Sequence, residues 1–101
     1  MGASEQSLGA GVTVKLFAGL RELFGKKEFH VAIEQASDIR RLLGVLCATS
    51  EQTQELLKES GGIKEGIIVL LNGHNLALVG GVNTALREGD EVAIFPPITG
   101  G

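Results

Sequence analysis

The spacing of apolar residues changes period twice along the chain, and those changes limit the folds open to it. Val12, Val14 and Leu16 alternate with Thr13, Lys15 and Phe17, the period-two mark of a strand with one buried face. A short helical turn over Ala18 to Phe24, closed by Gly25, follows, and alternation returns between Glu28 and Glu34 with Phe29, Val31 and Ile33 on one side. These two strands should pair as a hairpin-like unit with a loose connection. Ile39, Leu42, Leu43 and Leu46 then recur at helical spacing, with Ser37 placed as the N-cap. Gly44 weakens that helix by about 1 kcal/mol relative to Ala without forbidding it. Thr49 followed by Gln52 reads as a capping box opening a second helix, which runs to Gly61-Gly62.

Strand character then resumes. Ile67 to Leu71 is a continuous apolar run ended by Asn72-Gly73, and reads as a strand buried on both faces. Leu76 to Val79 and Val82 to Leu86 are short apolar pieces set apart by Gly80-Gly81. Glu88-Gly89-Asp90 turns the chain into a last strand, Glu91 to Phe95, with Val92 and Ile94 facing one way and Glu91, Ala93 and Phe95 the other. Pro96-Pro97 ends it, because neither residue can donate to a ladder. Strand, strand, helix, then several strands is an α+β order in which a mixed sheet wraps one main helix, and a β-grasp fold fits it. With the first and last strands adjacent and parallel, as that fold requires, Phe17 and Phe95 project from the same non-core face as an exposed aromatic pair.

Composition sets the remaining bounds. With 101 residues, 44% hydrophobic and 21% charged, the chain has the make-up of one compact domain. Residues 1–11 are too polar and permissive to pack and read as a disordered leader or expression remnant; residues 12–95 form the domain, and 96–101 an extended tail. No apolar run reaches the roughly 18 to 20 residues needed to span a bilayer. The start lacks the basic and apolar regions of a signal peptide, and Met1-Gly2 followed by Gln6 misses the myristoylation pattern. A single cysteine, Cys47, suits a reducing compartment, so the expected location is cytoplasmic, with no membrane partner. A net charge of −3 and the absence of Trp and Tyr argue against a nucleic-acid partner.

The chemistry points to the tail, Ile98-Thr99-Gly100-Gly101 after Pro96-Pro97. Proline restricts itself and the residue before it, so the tail should leave stiffly and point away from the body. Terminal glycines carry no Cβ and let a narrow pocket close around them. Such a shape suits reaction of the Gly101 carboxylate inside another protein's active site. There it would be converted with ATP to an acyl-adenylate, from which a sulfur nucleophile displaces AMP to leave a thiocarboxylate. A frayed terminus could also end in Gly-Gly; a strand running straight into Phe-Pro-Pro is not the usual fading, polar terminus.

Other reactive residues read as structural. Cys47 lies in a helical apolar context and reads as a buried structural cysteine. His30 on a solvated strand face and His74 in a turn lack companions at metal-ligand spacing. Lys26-Lys27 and Arg40-Arg41 read as solvated charges, Arg21-Glu22 as a surface ion pair and Asp90 as a turn residue. No nucleophile-base pair, Walker loop or dinucleotide fingerprint is present, so the chain alone is not expected to catalyse.

Two blocks carry a family resemblance: Val14-Lys15-Leu16-Phe17-Ala18-Gly19-Leu20-Arg21-Glu22-Leu23-Phe24-Gly25, and Glu88-Gly89-Asp90-Glu91-Val92-Ala93-Ile94-Phe95-Pro96-Pro97-Ile98-Thr99-Gly100-Gly101. In them the chain resembles the MoaD branch of the MoaD/ThiS sulfur-carrier family, the small subunit of molybdopterin synthase. The Phe-Pro-Pro lead is of the molybdopterin type, since thiamine-type carriers generally reach Gly-Gly without it. The resemblance implies a ubiquitin-like β-grasp domain with no bound cofactor or metal. Gly101 would pass through a glycyl adenylate, made by a ubiquitin-activating-type enzyme that uses ATP, to 1-thioglycine, made with a sulfurtransferase. Gly100, Thr99, Ile98, Pro97 and Pro96 would form the tail inserted into the large synthase subunit, which uses the sulfur to build molybdopterin. Phe17 and Phe95 match positions in the apolar surface that meets that subunit. The same tail would serve a ubiquitin-like protein modifier, or a sulfur carrier for thiamine, cysteine or tRNA thiolation. An interaction module using the Phe17 and Phe95 face with an inert tail is a further alternative. The chain departs from the shortest family members in a longer, more polar stretch from about Cys47 to Glu65, and in Gly80-Gly81.

Overall fold

The computed structural model describes residues 11–97, and its elements follow the period changes of the sequence. Strand β1 (Gly11–Leu16) buries Val12, Val14 and Leu16 and turns Thr13 and Lys15 the other way. It pairs antiparallel with β2 (Glu28–Ala32), from Gly11 opposite Ala32 to Lys15 opposite Glu28. Helix α1 (Gly19–Phe24) joins them and ends at Gly25, whose N–H donates to the Arg21 carbonyl. The main helix, α2 (Ile39–Leu46), buries Ile39, Leu42, Leu43 and Leu46, the apolar stripe of an amphipathic helix. Helix α3 (Ser50–Leu56) opens on the expected capping box: Gln52 N–H donates to Thr49 Oγ1 at 3.1 Å, and Thr49 N–H donates to Gln52 Oε1 at 3.3 Å. Strands β3 (Ile68–Leu71) and β4 (His74–Asn75), the one-turn helix α4 (Leu76–Val79) and strand β5 (Glu91–Phe95) complete the order.

The sheet runs β2-β1-β5-β3-β4, and only the β1 and β5 pair is parallel. Parallel neighbours need a crossover, which the whole middle of the chain supplies. The last strand therefore lies in the centre, and the sheet wraps α2 in the β-grasp arrangement. Leu16, Val92 and Ile94 have no solvent exposure, and they pack with Leu20, Leu42 and Leu56 in one apolar core. Ile94→Ala should lower stability by about 2 to 5 kcal/mol, read as a shifted urea midpoint with an unchanged slope.

Several local expectations are corrected. Asp38, not Ser37, caps α2: its carboxylate accepts from Arg41 N–H at 2.8 Å, and an isolated bridge to Ala85 holds it extended. Helix α3 stops at Leu56, well before Gly61-Gly62, because Leu57 turns extended to bridge Ile63. Strand β3 is buried on one face only; Val69 is buried while Ile68 is 40% exposed, since helices cover a single side of the sheet. Alternation beyond Ala32 gives way to a 3-10 turn at Ile33–Gln35. His74 falls in β4, just past the Asn72-Gly73 turn. Gly11 belongs to the domain, not to the leader, because a Cβ there would strike the Val31 carbonyl. The rest of the expected leader, residues 1–10, lies outside the described residues. Among the described residues no helix is long and apolar enough to cross a membrane.

Candidate functional site

The site is built where β1 and β5 end side by side. Alternation along each strand sends Leu16 and Ile94 into the core and their successors, Phe17 and Phe95, to the opposite face. The two rings stack, with centroids 4.3 Å apart and planes 9° from parallel. Stacking covers part of each ring, so the pair is half-buried and not fully exposed.

Arg21 adds a third layer. Its Nε donates to the Leu16 carbonyl at 2.8 Å and its guanidinium lies 5.2 Å from the Phe17 centroid, a cation–π contact worth about 0.5 to 1 kcal/mol at such a site. The expected Arg21-Glu22 ion pair does not form, as adjacent helical residues point apart. The turn at Ala18, which aims Phe17 and starts α1, has φ 55 and ψ −134; an alanine there carries roughly 1 to 3 kcal/mol of strain.

The patch extends across the sheet through residues that periodicity missed. Ile68 is opposite Phe95 and Leu70 is opposite Ala93, so both share the outer face. The signal lay in the run Ile67 to Leu71: on a sheet covered from one side, every second residue of such a run must face outward. An exposed Lys15–Glu91 ion pair at 3.6 Å borders the patch.

The tail base departs from expectation. Pro96 and Pro97 are part-buried, and Pro97 rests on Gly66: a Cβ added to Gly66 would lie 2.9 Å from Pro97 Cβ and 3.1 Å from its Cγ. The diproline thus starts against the body before the chain continues. Ile98, Thr99, Gly100 and Gly101 lie outside the described residues.

Elsewhere the chemistry is sparse. Cys47 is half-buried at the C-cap of α2 and not fully enclosed; burial pushes its thiol above the ordinary cysteine range, opposed by a hydrogen bond with Thr53. A thiol shifted that way stays protonated at neutral pH and is a poor sulfur carrier. His30 is exposed, 3.2 Å from Glu28 and 3.3 Å from Thr13 Oγ1. Among the described residues no cluster of His, Cys, Asp or Glu could hold a metal ion. Asp90 serves its turn, accepting from Arg87 N–H at 2.8 Å and from the Asn72 amide at 3.0 Å.

Against known proteins, the ThiS family model matches residues 14–101. This chain belongs to the ThiS family. Small archaeal modifier protein 3 of Haloferax volcanii is 33% identical to this ThiS-family chain over 88 residues, spanning 87% of it and 96% of the relative. The solution structure of small archaeal modifier protein 1 from Methanosarcina acetivorans superposes with a TM-score of 0.74 at 31% identity, over 91% of this chain and 97% of that one. A putative molybdopterin converting factor, subunit 1, from Pyrococcus furiosus gives 0.67 at 27% identity, over 88% and 99%. The resemblance drawn from the sequence therefore holds for the family and its ubiquitin-like fold. It does not single out the MoaD branch, because modifiers and a converting factor match alike.

Proposed function

We propose that this ThiS-family chain is a sulfur carrier that reacts at the carboxylate of Gly101. The carboxylate attacks the α-phosphorus of ATP held by a ubiquitin-activating-type enzyme, pyrophosphate leaves, and a glycyl adenylate forms. A sulfurtransferase persulfide then attacks the acyl carbon and expels AMP, and a second thiol cleaves the resulting acyl disulfide, forming a disulfide with the sulfurtransferase sulfur and leaving 1-thioglycine. One observation carries the reading: the apolar patch of Phe17, Phe95 and Ile68 sits at the strand end from which the tail departs. A partner that covers the patch has the start of the tail at its edge, and the residues beyond Pro97 are then the segment to enter its pocket. The proposed acceptor complex is molybdopterin synthase, with this chain as the small subunit beside the catalytic large subunit. The Phe-Pro-Pro lead and the similarity to a putative molybdopterin converting factor support that choice.

A second reading is favoured by the modifier relatives: a ubiquitin-like modifier whose adenylated Gly101 is joined to lysine. Both readings share the first step and part at the second. Intact-mass spectrometry after incubation with an adenylating partner, ATP and a sulfur donor should show the gain of one sulfur for one oxygen. No gain under conditions that charge a known carrier sinks the carrier reading, and lysine-linked conjugates in its place establish the modifier.

A further inference from the structure

We infer that Gly66 is a positioning residue for the tail: lacking a side chain, it forms the seat on which Pro97 sets the direction of residues 98–101. The inference deepens the proposed function and rests on it for its consequence, though not for its geometry.

Gly66 is distinguished by what lies over it. It has φ +89, and a Cβ there would meet Pro97 at 2.9, 3.1 and 3.7 Å, the nearest approach shorter than real Cβ atoms tolerate. Gly25, Gly73, Gly81 and Gly89 also have positive φ, yet a Cβ on any of them meets none of the described residues within 4 Å. At Gly61 and Gly80 the obstructing atoms are ends of the Arg40 and Thr84 side chains. A long side chain such as Arg40 can swing aside. The Pro97 ring cannot, because it is closed onto the backbone and its φ is fixed.

Crowding at Gly66 must therefore move either the turn or the tail, and the turn is held at both ends. Lys64 N–H donates to the Leu56 carbonyl at 2.8 Å, Lys64 Nζ to the Gln54 carbonyl at 2.9 Å, and Ile67 N–H to the Lys64 carbonyl at 3.1 Å. Ile67 packs on the core, and Ile68 is locked opposite Phe95 in the sheet. The tail is the part that yields. Held extended in a partner's pocket, four residues would reach about 13 Å, and a tilt of roughly ten degrees at Pro97 would then move the far end by about 2 Å. Misplacement of a reacting group by about 1 Å can slow a reaction about 100-fold.

Gly89, with φ +90 and no described residue within 4 Å of where a Cβ would go, supplies the matched control. Gly66→Ala and Gly89→Ala place alanine at nearly the same positive φ, and only the first touches Pro97. With an adenylating partner, Gly66→Ala should reduce kcat/KM for ATP–pyrophosphate exchange about 10- to 100-fold, against less than about 3-fold for Gly89→Ala. In a Pro97→Gly background, where the ring is gone, adding Gly66→Ala should have no more effect than adding Gly89→Ala. Equal losses for the two alanine variants, or a full Gly66→Ala loss persisting without the proline ring, would overturn the inference. If the wild type itself cannot be charged, the carrier reading falls and the seat is judged by NMR. Nuclear Overhauser contacts between the Gly66 α-protons and the Pro97 ring, together with residual dipolar couplings of residues 98–101 that change in Gly66→Ala but not Gly89→Ala, sustain it. Absent contacts or unchanged couplings refute it, as does a Gly66→Ala variant that unfolds while Pro97→Gly leaves those couplings unaltered.

Discussion

Deletion of Gly101 alone should leave a folded protein that cannot be charged. Among the described residues every member of the apolar core lies between Val12 and Ile94, so the deletion removes none of that packing. Thermal melting and amide spectra of the shortened chain should match the wild type. Charging is a different matter. Removing one residue draws the carboxylate back by up to about 3.5 Å, the full length of a residue. Reaction needs the attacking oxygen within about 3 to 3.5 Å of phosphorus, so a retreat of that size takes it out of reach. ATP–pyrophosphate exchange should fall by at least about 100-fold and the sulfur-for-oxygen mass change should disappear. A shortened chain that charges at the wild-type rate would remove Gly101 from the chemistry, whichever of the two proposed fates follows adenylation. Loss of the native fold would mean that the tail has a structural role that the core does not reveal.

How much of the structure is legible in the sequence follows the range of the interactions. The Thr49–Gln52 capping box is local, with all its atoms inside one turn, and it forms as expected. The cap of α2 was displaced by one residue because Ser37 and Asp38 both suit the role. The choice was made by distant contacts: Asp38 bridges Ala85, and the Ser37 carbonyl accepts from Leu86 N–H. Likewise, nothing near Leu57 announces the bridge to Ile63 that stops α3. The stacked rings were legible only through topology, because parallel pairing of the first and last strands was needed before Phe17 and Phe95 could be brought together. Gly66 under Pro97 lay beyond such reasoning. Its partner is remote in sequence, and a glycine that leaves room for a ring has the same local pattern as one that merely turns the chain.

The second large effect should come from Phe95→Asp, which separates docking from chemistry. Phe95 faces away from the core, so the domain should survive with the loss of one ring stack, about 0.5 to 1.5 kcal/mol. Binding has more to lose. Phe95 lies between Phe17 and Ile68 in the middle of the apolar row, where a partner surface would exclude water most completely. A carboxylate there must be desolvated against apolar groups without an uncommitted opposite charge; Arg21 is already hydrogen-bonded to Leu16 and lies over Phe17, and Lys15 is paired with Glu91. Loss of a central aromatic anchor is worth about 2 to 4 kcal/mol, which weakens the complex about 30- to 1000-fold. Titration calorimetry against the adenylating partner should record that drop, and the Gly101 deletion should bind within a few-fold of the wild type. The paired outcome matters more than either value. Docking lost in one variant and kept in the other would establish a patch that recruits and a tail that reacts. Wild-type affinity in Phe95→Asp would dismiss the patch, and a bound but unreactive wild-type chain would leave the interaction module as the function.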